Sequence, residues 1–289
     1  MQPDFKEIKL AAKSSLKSRW AEAISLSLGV AILMLLDLFF QEILMTIFKV
    51  DAVWSLVEPT TLPNYSAIPS VCITVFSAVY CLFVVTPFAF GVMRWFWHIT
   101  SGKDVAMKEA FYYFSSGKQF FKVVLVSLGL FLRLAVAVVI CFMPYILLTL
   151  LTTPDIYNYF GYAMPINLSG LNPLASLAEF IGFFYFAFWA TRYALVFVPM
   201  MNDESLSASK IFKETLKLAR HRAIRTLAFL LSFIDWVLLS VLFVPLIYVL
   251  PFGLASLTVY GREELREKQR LEKEKEMQNR WFSPQNRAL

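Results

Sequence analysis

Five ionisable side chains, Asp37, Arg133, Glu179, Arg192 and Asp235, stand within apolar runs long enough to cross a bilayer. A charge at bilayer depth costs at least about 2.5 kcal/mol on insertion scales. Such groups therefore line an ion or proton route, neutralise one another, or reach for backbone carbonyls and lipid phosphates. Arg133 lies ten residues beyond Val123 and Asp235 nine beyond Thr226. At about 1.5 Å per residue both come roughly 14 to 15 Å into a core of about 30 Å, which predicts that they pair near the midplane. Other chemistry is not legible. His98 and His221 both stand beside basic residues. No HExxH motif, no obvious Ser and His dyad inside the spans and no glycine-rich phosphate loop occurs. Cys72, Cys81 and Cys141 fall singly in apolar runs, without metal or disulfide spacing. The chain is read as non-enzymatic, with no cofactor, no metal site and no nucleic-acid partner.

The elements that position these charges follow from composition. The 289 residues are 58% hydrophobic and 17% charged, with a mean hydropathy of +0.61. Soluble domains carry a charged share nearer about a quarter, so the class is membrane protein. Four apolar runs give spans at about 21–48, 68–93, 123–151 and 174–201. The longest run, Thr226 to Tyr260, has 35 residues and a single carboxylate, Asp235. A straight helix of that length measures about 52 Å against roughly 30 Å of hydrocarbon, and Pro245 and Pro251 interrupt it. Two short spans, 226–243 and 246–260, are expected. The fold class is thus all-α, a polytopic membrane helix bundle of about six transmembrane helices. Residues 1–260 form one membrane domain, and 261–289 a charged cytoplasmic helical tail.

Basic residues set the expected topology. Lys and Arg number 5 before the first span, 1 in the first loop, 5 from Arg94 to Lys122, none from Thr152 to Pro173 and 6 from Lys210 to Arg225. This alternation predicts a cytoplasmic N-terminus, and the basic tail after Gly261 a cytoplasmic C-terminus. No removable signal peptide is read. Three basic amphipathic interfacial helices are expected: one after an Asp4 cap, one within Thr100 to Lys122, and one from Leu206 to Arg222. In the third, Leu206, Ile211, Phe212, Leu216 and Ala219 share an apolar side. Lys210, Lys213, Lys217, Arg220 and Arg222 are the expected contacts to anionic lipid. The recurrence of helix plus hairpin suggests a threefold parallel repeat. In the tail, Glu264 to Lys268 and Glu267 to Arg270 have the spacing of helical ion pairs.

Three stretches carry a family resemblance: AAKSSLKSRWAEAI, TPFAFGVMRWFWHITSGKDVAMKEAFYYF, and the run from Ser207 to Tyr260. They resemble a bacterial integral-membrane family catalogued as a domain of unknown function, number nine hundred seventy-five. Trp20, Pro87, Gly91, Phe233, Ile234, Trp236, Pro251 and Tyr260 fall at its pattern positions. Asp235, Phe252 and the basic tail depart from it. The resemblance implies a bacterial plasma membrane and contributes no activity. The expected role is that of a scaffold or accessory component binding anionic lipid and a protein partner, or a second copy of itself. The alternative is a small transporter or channel using the intramembrane charges.

Overall fold

A computed structural model describes residues 4–48, 67–152, 171–220, 222–239 and 246–281. Every regular element among these residues is helical. Helix α1 (Phe5–Ser15) starts at Asp4, whose backbone N–H donates to Glu7 Oε2 (3.3 Å). It buries Ile8 and Ala12, and its C-cap Leu16 continues the same face at helical spacing. Helix α2 is Trp20–Phe48, and α3 is Ala67–Tyr80. A π turn, Cys81–Val85, joins α3 to α4 (Thr86–Ile99).

The π turn has a local cause. Pro87 has no N–H to offer the carbonyl four residues back. The Thr86 N–H bonds Cys81 O, five residues back, and the Leu82 carbonyl so released accepts the Thr86 hydroxyl at 2.7 Å. The distortion therefore lies just before Pro87, and the Leu82 carbonyl keeps a partner.

Beyond α4 the amphipathic segment is a 3₁₀ helix, Met107–Phe114. At three residues per turn Ala110 and Tyr113 eclipse and are buried, while Met107, Phe111 and Phe114 stay exposed. Helix α5 (Gly117–Thr152) begins at Gly117 and carries Pro144 inside it. Helices α6 (Asn172–Thr191), α7 (Phe197–Asn202), α8 (Ala208–Ala219), α9 (Ala223–Leu231), α10 (Ile234–Leu239) and α11 (Leu246–Trp281) complete the chain.

Four helical stretches are long and apolar enough to cross a membrane among the described residues: Trp20–Phe48, Pro69–Ile99, Gly117–Leu151 and Asn172–Thr191. Their flanks expose residues such as Leu35, Phe39, Phe131 and Phe183, as lipid-facing surfaces do. The expected fifth and sixth spans are not among them. At Ser232 the helix closes on itself, its N–H bonding both Ala228 O and Phe229 O, and α10 restarts at Ile234. Phe233 and Trp236 meet Phe252 edge-on at 5.9 and 6.1 Å, and Phe229 stacks on Tyr260 at 4.3 Å. The described segments 226–239 and 246–260 thus pack antiparallel against each other. Residues 240–243 of the expected fifth span, and nearly all of both expected outside loops, lie outside the described residues.

The chain divides into two compact units. The terminal unit comprises Met1–Leu28, Ala89–Ser115 and Thr191–Leu289; the central unit comprises Gly29–Phe88 and Ser116–Ala190. All three amphipathic elements fall in the terminal unit.

Gly91 on α4 permits the closest approach in the terminal unit, because a Cβ there would stand 1.8 Å from the Ala110 carbonyl oxygen. A backbone oxygen cannot rotate away. Gly91→Ala is expected to cost at least about 1–3 kcal/mol, read as a lowered Tm in detergent. Gly117→Ala meets nothing within 4 Å and should leave Tm unchanged or slightly raised. Equal Tm values for the two variants would contradict this packing.

Candidate functional site

The terminal unit collects most of the groups capable of recognition. Its interior is aromatic: Trp95, Phe96, Tyr113, Phe229 and Tyr260 are fully buried or nearly so. Burial pushes the Tyr113 phenol well above its usual range.

Cations bind this core into one piece. Glu264 on α11 is 2% exposed and accepts from Arg222 Nη1 and from Arg225 Nη1 (3.2 Å). Two residues earlier, Arg262 donates to the carbonyls of Trp97 and Thr100 (2.5 Å to the latter) and lies 4.7 Å from the Trp97 ring. Those carbonyls end α4, where a cation also meets the negative end of the helix dipole. Burial, then the nearby Arg266, lowers the Arg262 pKa. Arg94 Nε bonds Glu109 Oε1 (2.6 Å), its Nη1 bonds Glu204, and its guanidinium covers the Tyr112 ring at 3.7 Å. The Tyr112 hydroxyl donates to Glu204 as well (2.7 Å). Arg19 joins Glu22 and Asp104, both at 2.5 Å.

Two lysines do similar work. Lys9 caps α9 by donating to Ser232 O (2.6 Å) and sits 4.2 Å from the Phe233 ring. Burial lowers its pKa, opposed by the field of Asp235. Lys268 on α11 bonds Glu214 on α8 (2.7 Å). Hydrogen bonds from Lys217 and then Lys268 hold the Glu214 carboxyl below its usual range.

These contacts redistribute the expected sites. In α8 the buried face is Ile211, Phe212, Thr215, Leu218 and Ala219, so Leu218 rather than Leu216 faces the protein. Lys210, Lys213, Lys217 and Arg220 are exposed, with Lys217 paired to Glu214 at 2.7 Å. Arg222 is turned to Glu264 instead of outward. The helical pair expected from Glu264 to Lys268 gives way to longer-range partners, Arg222 and Arg225 for the first and Glu214 for the second; Glu267 and Arg270 do pair, at 2.9 Å. A sequence window cannot see partners on another helix.

The intramembrane candidates divide between the two units, and each is described within its own. Arg192 is half-buried just beyond α6, and Glu179 is exposed on α6. Arg133 and Asp235 each have a partner within their own unit: Arg133 donates to Gly129 O (2.8 Å), and exposed Asp235 acts on Lys9. Asp37, in the central unit, is buried. Its Oδ2 accepts from the Ser77 hydroxyl (2.5 Å) and the Gln41 amide (3.0 Å), with Cys81 Sγ at 3.7 Å. All three donors are neutral, and Cys81 opens the π turn. Ser77 and Cys81 escaped the sequence reading, although their spacing of four places both on one helical face. No group of three potential metal ligands occurs among the described residues.

No family model, curated protein or solved structure matches the chain. The functional reading therefore rests on these side chains.

Removing the Glu264 charge leaves two guanidinium groups around an uncharged amide. Glu264→Gln is expected to lower stability by about 1.5–3 kcal/mol, the worth of hydrogen bonds to a charged group. Glu263→Gln, at a half-buried neighbour bonded to Arg266 (2.5 Å), serves as the control and should be near neutral. Thermal unfolding of both variants in one detergent checks the contrast.

Proposed function

We propose that the protein is a non-enzymatic scaffold or accessory component of a bacterial plasma membrane. In this reading both termini are cytoplasmic, and the terminal unit holds anionic lipid and presents a surface to a protein partner or a second copy. Membership of the family whose pattern the chain resembles belongs to the same proposal. The observation that carries it is the division of labour in α8. One side is packed into the aromatic core, and the other offers Lys210, Lys213 and Arg220 with no carboxylate bonded to them among the described residues. A fixed row of cations beside apolar spans suits anionic headgroups. The helix end beyond Lys268, exposed and of mixed charge, is the part available to a partner.

Vesicle co-flotation of the detergent-purified protein tests the lipid arm. Lys213→Gln should weaken association with anionic vesicles about fivefold, one surface cation being worth about 1 kcal/mol. Lys217→Gln should do less, because Lys217 is already bonded to Glu214. Equal effects, or none, would count against this face. Reporter fusions test the topology: fusions at Met1 and after Gly261 should both report cytoplasm, and a periplasmic signal from either end would refute it.

A second reading, a small transporter or channel, draws on Asp37 and its ring of neutral donors. It requires Asp37→Asn to abolish a proton or ion flux in proteoliposomes while the fold persists. Equal flux with and without the carboxylate would retire it.

A further inference from the structure

A cavity of about 260 Å³ opens in the terminal unit between α1, the first turn of α2, α10 and the start of α11. Its walls are Trp20, Trp236, Tyr248, Val249 and Phe252, with Lys13 as the one charged lining residue. Trp20 meets Tyr248 edge-on at 6.1 Å, and Trp236 meets Phe252 at the same distance. These ring pairs tie the lining residues to one another.

Three features identify the occupant. Trp20 is the first residue of a candidate span, so the cavity lies where a helix emerges from hydrocarbon, the depth at which Trp and Tyr concentrate. The volume falls just below the range of about 300–1,000 Å³ typical of small-molecule sites, which suits a segment of one chain rather than a whole lipid. Finally, the charge is of one sign. Lys9 is spent on Ser232 and Phe233, whereas exposed Lys13 has no carboxylate bonded to it among the described residues.

We propose that this cavity is a slot for one acyl chain of an anionic phospholipid, whose headgroup phosphate rests on Lys13. The proposal deepens the anionic-lipid reading given above and rests on it for the membrane face, but it uses a different surface from α8. A carbon-walled slot gives no headgroup preference by itself, so selectivity falls to Lys13. The aromatic walls limit occupancy to a single chain.

The test uses the full-length protein in phosphatidylcholine nanodiscs, titrated with phosphatidylglycerol or phosphatidylcholine brominated on the acyl chains. Tryptophan quenching is read as the difference between the unmodified protein and a Trp20→Phe, Trp236→Phe variant. Quenching of these two residues should saturate at about fivefold lower mole fraction of the brominated anionic lipid than of the neutral one, the preference given by one surface cation. Lys13→Gln, at an exposed position that leaves the fold intact, should erase the preference. Val249→Phe should fill the slot and reduce quenching by both lipids. If that variant is poorly folded, Lys13→Gln still decides the matter.

Equal quenching by the two lipids in the unmodified protein would overturn the slot, as would an unchanged preference in Lys13→Gln. Failure here with charge-dependent vesicle binding intact at Lys213 overturns the slot alone. Headgroup-selective quenching that survives Lys213→Gln supports it, whatever α8 does.

Discussion

Glu264 is the carboxylate on which the terminal unit depends. A buried carboxylate is tolerable only when its oxygens are filled by charge-assisted donors, and here Arg222 and Arg225 supply them from the N-cap and first turn of α9. Once that contact forms, the register of α11 is set. Tyr260, one turn earlier, comes into stacking contact with Phe229 and its hydroxyl meets Thr226 at 3.0 Å. Arg262 then reaches the end of α4, and Gly261 lets the helix pass close to Val198, whose side chain a Cβ at 261 would approach to 2.5 Å. What composition marks as a solvated tail is, through Lys268, the axis around which the unit is assembled.

The apolar spans were legible in the sequence because length and composition alone decide them: twenty or more apolar residues have nowhere else to go. The terminal run had the composition but not the continuity: the backbone turns at Ser232, within the first of its two expected spans. The 3₁₀ helix at Met107–Phe114 also escaped, since a window containing both Phe111 and Phe114 fits an α-helical face about as well as Ala110 and Tyr113 fit a threefold one. Only packing against α4, admitted by Gly91, selects between them.

The charged residues were less legible, for a reason specific to membrane proteins. Counting Lys and Arg treats every cation as a reporter of the aqueous side. Arg94, Arg222 and Arg262 carry a second duty that counting cannot detect, namely neutralising carboxylates or capping helix ends contributed by residues far away in the chain. Asp37 illustrates the converse. Its depth was evident from the run around it, but its donors on α3 and at the π turn became visible only when the two helices were set side by side.

A division by residue type runs through the terminal unit: the buried clamps are mostly arginines, and the outward cations mostly lysines. The planar guanidinium fork can satisfy two acceptors and stack on a ring at once, as Arg262 and Arg94 do, whereas an ammonium is a compact, hydrated point charge. Substitution tolerance follows as a directional asymmetry. Lysine to arginine on the α8 rim conserves what that surface needs, while arginine to lysine at position 94 or 262 keeps the formal charge and forfeits the fork. Acylation of amines would likewise strip the rim of its charge and leave the guanidinium clamps chemically untouched. A lysine-directed modification could therefore act as a dial on surface potential without loosening the core.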